Sequence, residues 1–330
     1  MLDKPARPST ADDLLEALER DGVVALPPML GAEALAGLQQ SFERVLERPA
    51  FNTWYGYERN EKWRILVENA LTVDPAVVRL ALHPLLKSVL RRYIGPGFAL
   101  TEARGWRTIR TTIDFHGWHN DAWYDEAAVD PNRRPREVKL GIYLTDVESG
   151  HFSYIPGTHD RAGPARHWSP REVEPMLSRR RDMLGKAGSA FLFDTAGVHR
   201  QTAPVLEPRN VLFLTFHDPS VRIQALDRES GRYRPLLLNA AFLPPMDDED
   251  RAILGFGVTG DRPASDCVAG RADVRRYPWL HGAVELALDA RLEIQELQRQ
   301  LRRIISGLGR RLAPGRDAEL QEGVCRQARS

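Results

Sequence analysis

The sequence predicts an α+β protein: a β-sandwich or barrel with helices before it and a helical extension behind it. Three observations lead there. Residues 11–22 and 32–48 carry amphipathic helical patterns on either side of a short apolar run, 23–26. From about 98 to 217, short β-rich runs alternate with turns rich in Gly and Pro. Beyond 226 the chain is loop-rich, and a helical apolar stepping then occupies 283–308.

Each element has a local reason. The segment ADDLLEALERDG places acids in its first turn and Gly22 at its end, as the helix dipole and C-capping favour. Val23-Val24-Ala25-Leu26 reads as a strand, and Asp74–Tyr93 as one helix closed by Ile94-Gly95-Pro96-Gly97. Strands are expected at 107–115, 137–145, 151–155, 189–194 and 209–217. The Arg-rich stretch 160–183 reads as a surface insertion. In 283–308 the apolar residues Ala287, Ala290, Ile294, Leu297, Leu301, Ile304 and Leu308 step by three and four, with arginines crowding the end. This texture divides the chain into 1–225, a barrel with N-terminal helices, and 226–330, a loop-rich extension ending in a long amphipathic helix.

Composition narrows the function. The 330 residues are 42% hydrophobic, enough for a sizeable core. The 46 basic and 45 acidic residues nearly cancel, so no global electrostatic footprint for nucleic acid is present. Cys267 and Cys325 are far apart and offer neither a disulfide framework nor a CxxC metal site, which fits a cytoplasmic protein. The N-terminal stretch lacks the apolar core of a signal peptide, and the longest apolar runs, such as 211–216, are too short for a transmembrane segment.

Chemistry concentrates in HGWHNDAWYD, residues 116–125. His119 and Asp121 are two apart, so on a strand they face the same way and can converge on one cation. His199 follows a short apolar strand and a small-residue turn, which makes it the best third ligand. Two imidazoles and one carboxylate on one face leave the opposite positions open, as in the facial triad of non-haem Fe(II) oxygenases. Arg209 lies ten residues on, at the start of the next strand, where it can hold a carboxylate bidentately. An iron site beside such an anchor is what 2-oxoglutarate needs.

These segments, in this order, resemble the phytanoyl-CoA dioxygenase-like family of Fe(II)/2-oxoglutarate-dependent oxygenases. The likeness covers roughly residues 10–220. It includes the opening LERDGVVALPPMLGAEALAGL, the WHND segment, Leu144-Thr145-Asp146-Val147 followed by Gly150 and YIPGTH, FLFDTAGVH ending at His199, and Arg209. The resemblance implies a double-stranded β-helix (jelly-roll, cupin-like barrel), with iron on His119, Asp121 and His199 and the 2-oxoglutarate carboxylate on Arg209. It also implies O2 as oxidant, release of succinate and CO2, and hydroxylation of an aliphatic C–H of a small-molecule substrate. Asp121 fills the position that related halogenases leave to Gly or Ala, so hydroxylation is expected rather than halogenation.

Other residues have quieter readings. Lys139 sits in an apolar strand and is a second candidate for the keto acid or an acidic substrate. Trp118, Trp123 and Tyr124 surround the HxD pair as packing or pocket walls, and His217 shares the inward face of its strand with Arg209. Continued strand structure at 109–115 turns His116 away from His119 and makes it a structural residue. His151 and His159 read as loop residues, and Arg104, Arg107 and Arg110 as a solvated face or a basic lip. The 283–308 helix is read as packing on the barrel or forming a homodimer, in preference to lying on an anionic surface through its Arg-rich end. Two competing functions are a metal-dependent cupin-type isomerase or lyase, which has no use for Arg209, and a catalytically silent barrel acting as a binding module.

Overall fold

The computed structural model describes residues 10–47, 63–67, 69–121, 124, 135–160, 166–221, 236–256 and 266–267, with 290, 294, 297, 298, 301 and 305 beyond. Helix α1 (Ala11–Asp21) begins at a reciprocal Thr10–Asp13 capping box and ends at Gly22, whose φ of 74° is left-handed. A side chain there is excluded twice, because a Cβ would also lie 2.5 Å from the Tyr154 hydroxyl. Strand β1 (Val23–Leu26) follows directly, then α2 (Ala32–Leu46), which buries Leu38 and Phe42.

Strand β2 (Arg64–Val67) was not anticipated; four residues flanked by charges give too little alternation to read. The helix expected over 74–93 is two, α3 (Pro75–Ala81) and α4 (Pro84–Tyr93). Pro84 is the reason: it has no N–H to donate, its ring clashes with the carbonyl four residues back, and it restricts His83 to an extended backbone. Strand β3 runs Ala99–Thr108, earlier than the expected 107–115. Its charged inward-facing residues disguised the strand, while 109–118 contributes only the Thr111–Val205 bridge.

Strands β4 (His119–Asn120), β5 (Glu137–Tyr143) and β6 (Val147–Tyr154) come next. The described part of 160–183 is mostly exposed, as expected, yet it is more than an insertion. Its described part holds β7 (Arg166–His167), the short α5 (Pro170–Val173) and the start of β8 (Arg181–Gly185), and both strands lie at sheet edges. Strands β9 (Ala190–Asp194), β10 (His199–Gln201) and β11 (Arg209–His217) complete the barrel. Strand β12 (Leu237–Leu238), α6 (Asp248–Ile253) and β13 (Asp266–Cys267) follow.

Two antiparallel sheets form the jelly roll. The larger has the order β1-β9-β5-β11-β3-β2, and the smaller β7-β4-β10-β6-β8. Register assigns the faces. Arg209, Val211, Phe213 and Thr215 of β11 stand opposite Thr108, Trp106, Arg104 and Glu102 of β3. Val211, Phe213 and Thr215 also face Tyr143, Gly141 and Lys139 of β5. This is the inner face, because Val211, Trp106 and Tyr143 join Phe152, Tyr154, Phe191 and Phe193 in the core between the sheets. The other face lies under α2, where a Cβ on Gly105 would overlap the Phe42 ring.

The chain separates into two compact units, 1–288 and 289–330. In the first unit, α6 is tied to α4 by Lys87 Nζ–Asp250 Oδ1 at 2.6 Å. In the second, the six described residues are helical, and Ile294, Leu297, Leu301 and Ile305 are exposed.

Candidate metal centre

The smaller sheet brings two imidazoles together. His119 and His199 are direct cross-strand partners on β4 and β10, so their side chains leave the same face at the same level. Their ring centroids are 4.3 Å apart. Asp121 follows β4 by one residue, and its N–H donates to the Thr195 carbonyl at 2.7 Å. One ligand atom from each of His119, Asp121 and His199 lies within 4.8 Å of the others. Nε2 of His119 is 3.9 Å from Asp121 Oδ1, and Nε2 of His199 is 3.8 Å from Asp121 Oδ2.

The rings are fixed in a ligating tautomer. Nδ1–H of His119 donates to the Gly117 carbonyl at 2.9 Å, and Nδ1–H of His199 to the Gly197 carbonyl at 2.8 Å. A carbonyl only accepts, so each proton sits on Nδ1 and each Nε2 lone pair points to the centre. Burial lowers the pKa of both rings, and that of His199 falls to about 3, with the neighbouring His119 adding to the effect. On Asp121, Oδ2 accepts from the Lys139 ammonium at 2.7 Å.

These shifts carry a stability consequence for the metal-free protein. His199 is neutral in the fold from pH 6.5 down to about 3, whereas an unfolded imidazole takes up a proton below 6.5. The unfolded state then binds more protons, so stability falls as pH drops through that interval, by at most about 1.4 kcal/mol per pH unit for each such ring. The chelated protein should show a urea midpoint that declines from pH 6.5 downward. A flat midpoint across the upper part of the interval would mean that the rings protonate within the fold.

A buried turn positions two of the three ligands, and sequence reasoning missed it. Asp194 is fully buried; its Oδ2 accepts from the Tyr93 hydroxyl at 2.8 Å and from Arg136, and its Oδ1 from Ala196 N–H. The turn it holds offers Thr195 O to Asp121 and Gly197 O to His199. Gly197 must lack a side chain, since a Cβ there would overlap the Tyr154 hydroxyl, which itself donates to the Asp194 carbonyl.

Arg209 begins β11 on the inner face and is 3% exposed. Tyr143 hydrogen-bonds it, yet among the described residues its Nε and Nη1 have no hydrogen-bond partner. Buried guanidinium donors left unmade are costly, which is the signature of a site awaiting an acceptor. Arg64 of β2 faces inward beyond Thr108, with its guanidinium 4.2 Å from the Trp106 ring centroid. No sequence signal marked Arg64, because β2 itself was not legible.

The remaining expectations divide. His116 does not turn away: the chain at 109–118 is not a strand, and the ring packs edge-on against His119 at 4.5 Å. It is still no ligand, as its Nδ1 accepts from Gln201 N–H at 3.4 Å. Trp118 packs in a satellite core with Ile155, Val173 and Val198. Trp123 lies outside the described residues; Tyr124 is buried. His217 is buried at the end of β11 opposite Glu137. His151 belongs to β6 rather than a loop, and His159 is buried with Nε2–H donating to the Glu19 carbonyl. No basic lip forms: Arg107 and Arg110 pair with Glu43 and Glu207, and Arg104 points inward.

Comparison with known proteins agrees with this geometry. Residues 18–203 match the family model described as Phytanoyl-CoA dioxygenase (PhyH). The chain belongs to this family. As a phytanoyl-CoA dioxygenase family member it is a non-haem iron dioxygenase that uses Fe(II), 2-oxoglutarate and O2. Ectoine dioxygenase of Bordetella parapertussis is 23% identical over 241 residues, 62% of this chain and 74% of that protein. Ectoine dioxygenase of Sphingopyxis alaskensis is 24% identical over 258 residues, 75% and 79% respectively. Among solved structures, the non-haem α-ketoglutarate-dependent carbocyclase SnoK from nogalamycin biosynthesis superposes with a TM-score of 0.52 at 20% identity. It covers 70% of this chain and 95% of its own. The epimerase SnoN from the same biosynthesis gives 0.51 at 18%, covering 79% and 94%. At these identities the two structures speak for the jelly-roll fold alone. Among the described residues, no helix is long and apolar enough to cross a membrane.

Proposed function

We propose that His119, Asp121 and His199 hold the iron, that Arg209 binds the distal carboxylate of 2-oxoglutarate, and that the enzyme hydroxylates a C–H bond of a small molecule. The observation that carries this is the pairing of two features in one barrel: a converging His-Asp-His triad and a buried guanidinium with two unmade donors. Bound there, Fe(II) with 2-oxoglutarate and O2 supplies the oxidising power for C–H hydroxylation, with succinate and CO2 as by-products.

The chain's own residues do the positioning. The carbonyls of Gly117 and Gly197 keep both Nε2 atoms unprotonated and aimed inward. Lys139 holds one oxygen of Asp121 and so orients the carboxylate that would bind the metal, and it is the second candidate to steady the keto acid. The row Val211, Trp106 and Tyr143 keeps the space between Arg209 and the triad apolar, which strengthens the charge–charge contact at Arg209. Trp123, Tyr124 and His217 are the proposed pocket residues. A cupin-type isomerase or lyase leaves the two Arg209 donors unexplained.

The test is succinate release by the Fe(II)-loaded enzyme under O2, screened over small metabolites with ectoine first, given the relatives. Release that requires Fe(II), 2-oxoglutarate and a particular metabolite supports the reading; none across the screen contradicts it. The proposed compartment is the cytoplasm. The 283–308 helix is proposed to pair with a second copy of the chain, since its exposed Ile294, Leu297, Leu301 and Ile305 share one stripe. By light scattering the full chain should be a dimer and the chain without 283–330 a monomer, and an unchanged number of chains per particle would refute the pairing.

A further inference from the structure

We propose that Glu102 and Arg104 of β3 form the substrate-recognition subsite of this barrel, and that the substrate is a small zwitterion. Its carboxylate would bind Arg104 and its cationic nitrogen Glu102. This rests on the function proposed above and adds the substrate class.

Glu102 and Arg104 alternate with Ala103 and Gly105, and Gly105 lies under Phe42 of α2 on the outer face. The two charged residues therefore point into the barrel, opposite Thr215 and Phe213 of β11. Thr215 is also the partner of Lys139, so Glu102 and Lys139 occupy one cross-strand row, about 10 Å apart by two strand spacings. Lys139 touches Asp121 of the triad. Arg209, by contrast, lies at the far end of β11, beyond the apolar row of Val211 and Trp106. The pair is thus on the metal's level and away from the 2-oxoglutarate anchor.

Arg104 Nη1 and Glu102 Oε1 are 2.5 Å apart, and the side chains are only 7% and 17% exposed. Desolvating such a pair offsets much of its attraction, and apolar residues of similar volume often serve stability as well or better. The inward positions beside Arg104 are aromatic, Phe213 and Trp106, whereas Glu102 faces Thr215, whose hydroxyl lies 3.4 Å from Oε2, with Lys139 next in the row. The Lys139 ammonium accounts for a carboxylate at 102, but packing against Phe213 and Trp106 gives no reason for a guanidinium at 104.

Recognition does give one. A guanidinium offers a carboxylate two parallel donors, and a carboxylate beside it accepts from an ammonium or amidinium. Side by side, they match a molecule that carries both charges a few bonds apart. An acyl chain or a neutral terpenoid would bury the pair without partners of its own, which disfavours those substrates.

The test uses the full chain loaded with Fe(II) and 2-oxoglutarate. Succinate release is measured with small zwitterions (ectoine, L-proline, L-lysine), with their methyl esters, and with phytanoyl-CoA. At least one zwitterion should stimulate release, and its ester should lose tenfold or more in kcat/KM. The Arg104→Met variant should abolish that preference for the free acid. The paired swap Glu102→Arg with Arg104→Glu keeps an ion pair but exchanges its ends; it should retain the Fe(II)–2-oxoglutarate charge-transfer absorption and lose zwitterion turnover. Turnover of phytanoyl-CoA but no zwitterion, no zwitterion stimulation at all, or a swapped variant as active as the wild type would overturn the inference. Absence of the absorption band in the wild type would instead count against the proposed iron and co-substrate sites.

Discussion

His119→Ala should yield a folded protein that no longer retains Fe(II) and releases no succinate. The ring stands on β4, between β7 and β10, and its side chain is 14% exposed, so its loss leaves a modest gap rather than a core cavity. The chemical loss is larger. Removing the groups that merely orient metal ligands costs about 10–100-fold in affinity or activity, and removing a ligand should exceed that. With His119 absent, the centre keeps one imidazole and one carboxylate, and Lys139 remains on that carboxylate as a competing cation. Circular dichroism should match the wild type, while metal analysis after gel filtration should find no iron. Wild-type iron content in the variant would remove His119 from the site.

Arg209→Ala should raise the KM for 2-oxoglutarate by on the order of 100-fold, and the KM for the prime substrate far less. Truncating one member of a buried, hydrogen-bonded charge pair typically costs about 2–5 kcal/mol, and about 2.7 kcal/mol corresponds to a hundredfold. The effect should be selective because Arg209 lies at the opposite end of β11 from Thr215 and Lys139. Arg209→Lys should recover only part of the loss, since an ammonium cannot make two parallel bonds. The variant should also be no less stable without ligand, because Nε and Nη1 are unsatisfied in the wild type. An unchanged KM for 2-oxoglutarate would refute the role of Arg209.

Much of this site was legible because its residues are locally patterned. The i, i+2 spacing of His119 and Asp121 needs only a strand or its immediate end. The apolar run before His199 and the alternation after Arg209 mark β9 and β11 unambiguously, and β11 lies where expected. What the sequence hid was long-range. That His119 and His199 would be direct cross-strand partners depends on a register between segments eighty residues apart. Arg64, Arg104 and Glu102 look like solvated charges in one dimension, and only pairing with β11 turns two of them inward beside it. Asp194 reads as a turn former, yet it is buried because Tyr93 from a distant helix reaches it. The broken helix at Pro84 was, by contrast, legible in principle from the proline alone.

The most direct test is an anaerobic titration of the metal-free protein with Fe(II) and then 2-oxoglutarate, followed by absorption spectroscopy. The protein should take up one iron per chain and show a visible charge-transfer band that saturates at one equivalent of keto acid. That band should be absent in His119→Ala and should need far more 2-oxoglutarate in Arg209→Ala. A wild-type protein that binds no iron, or binds it without any band on adding the keto acid, would contradict the account.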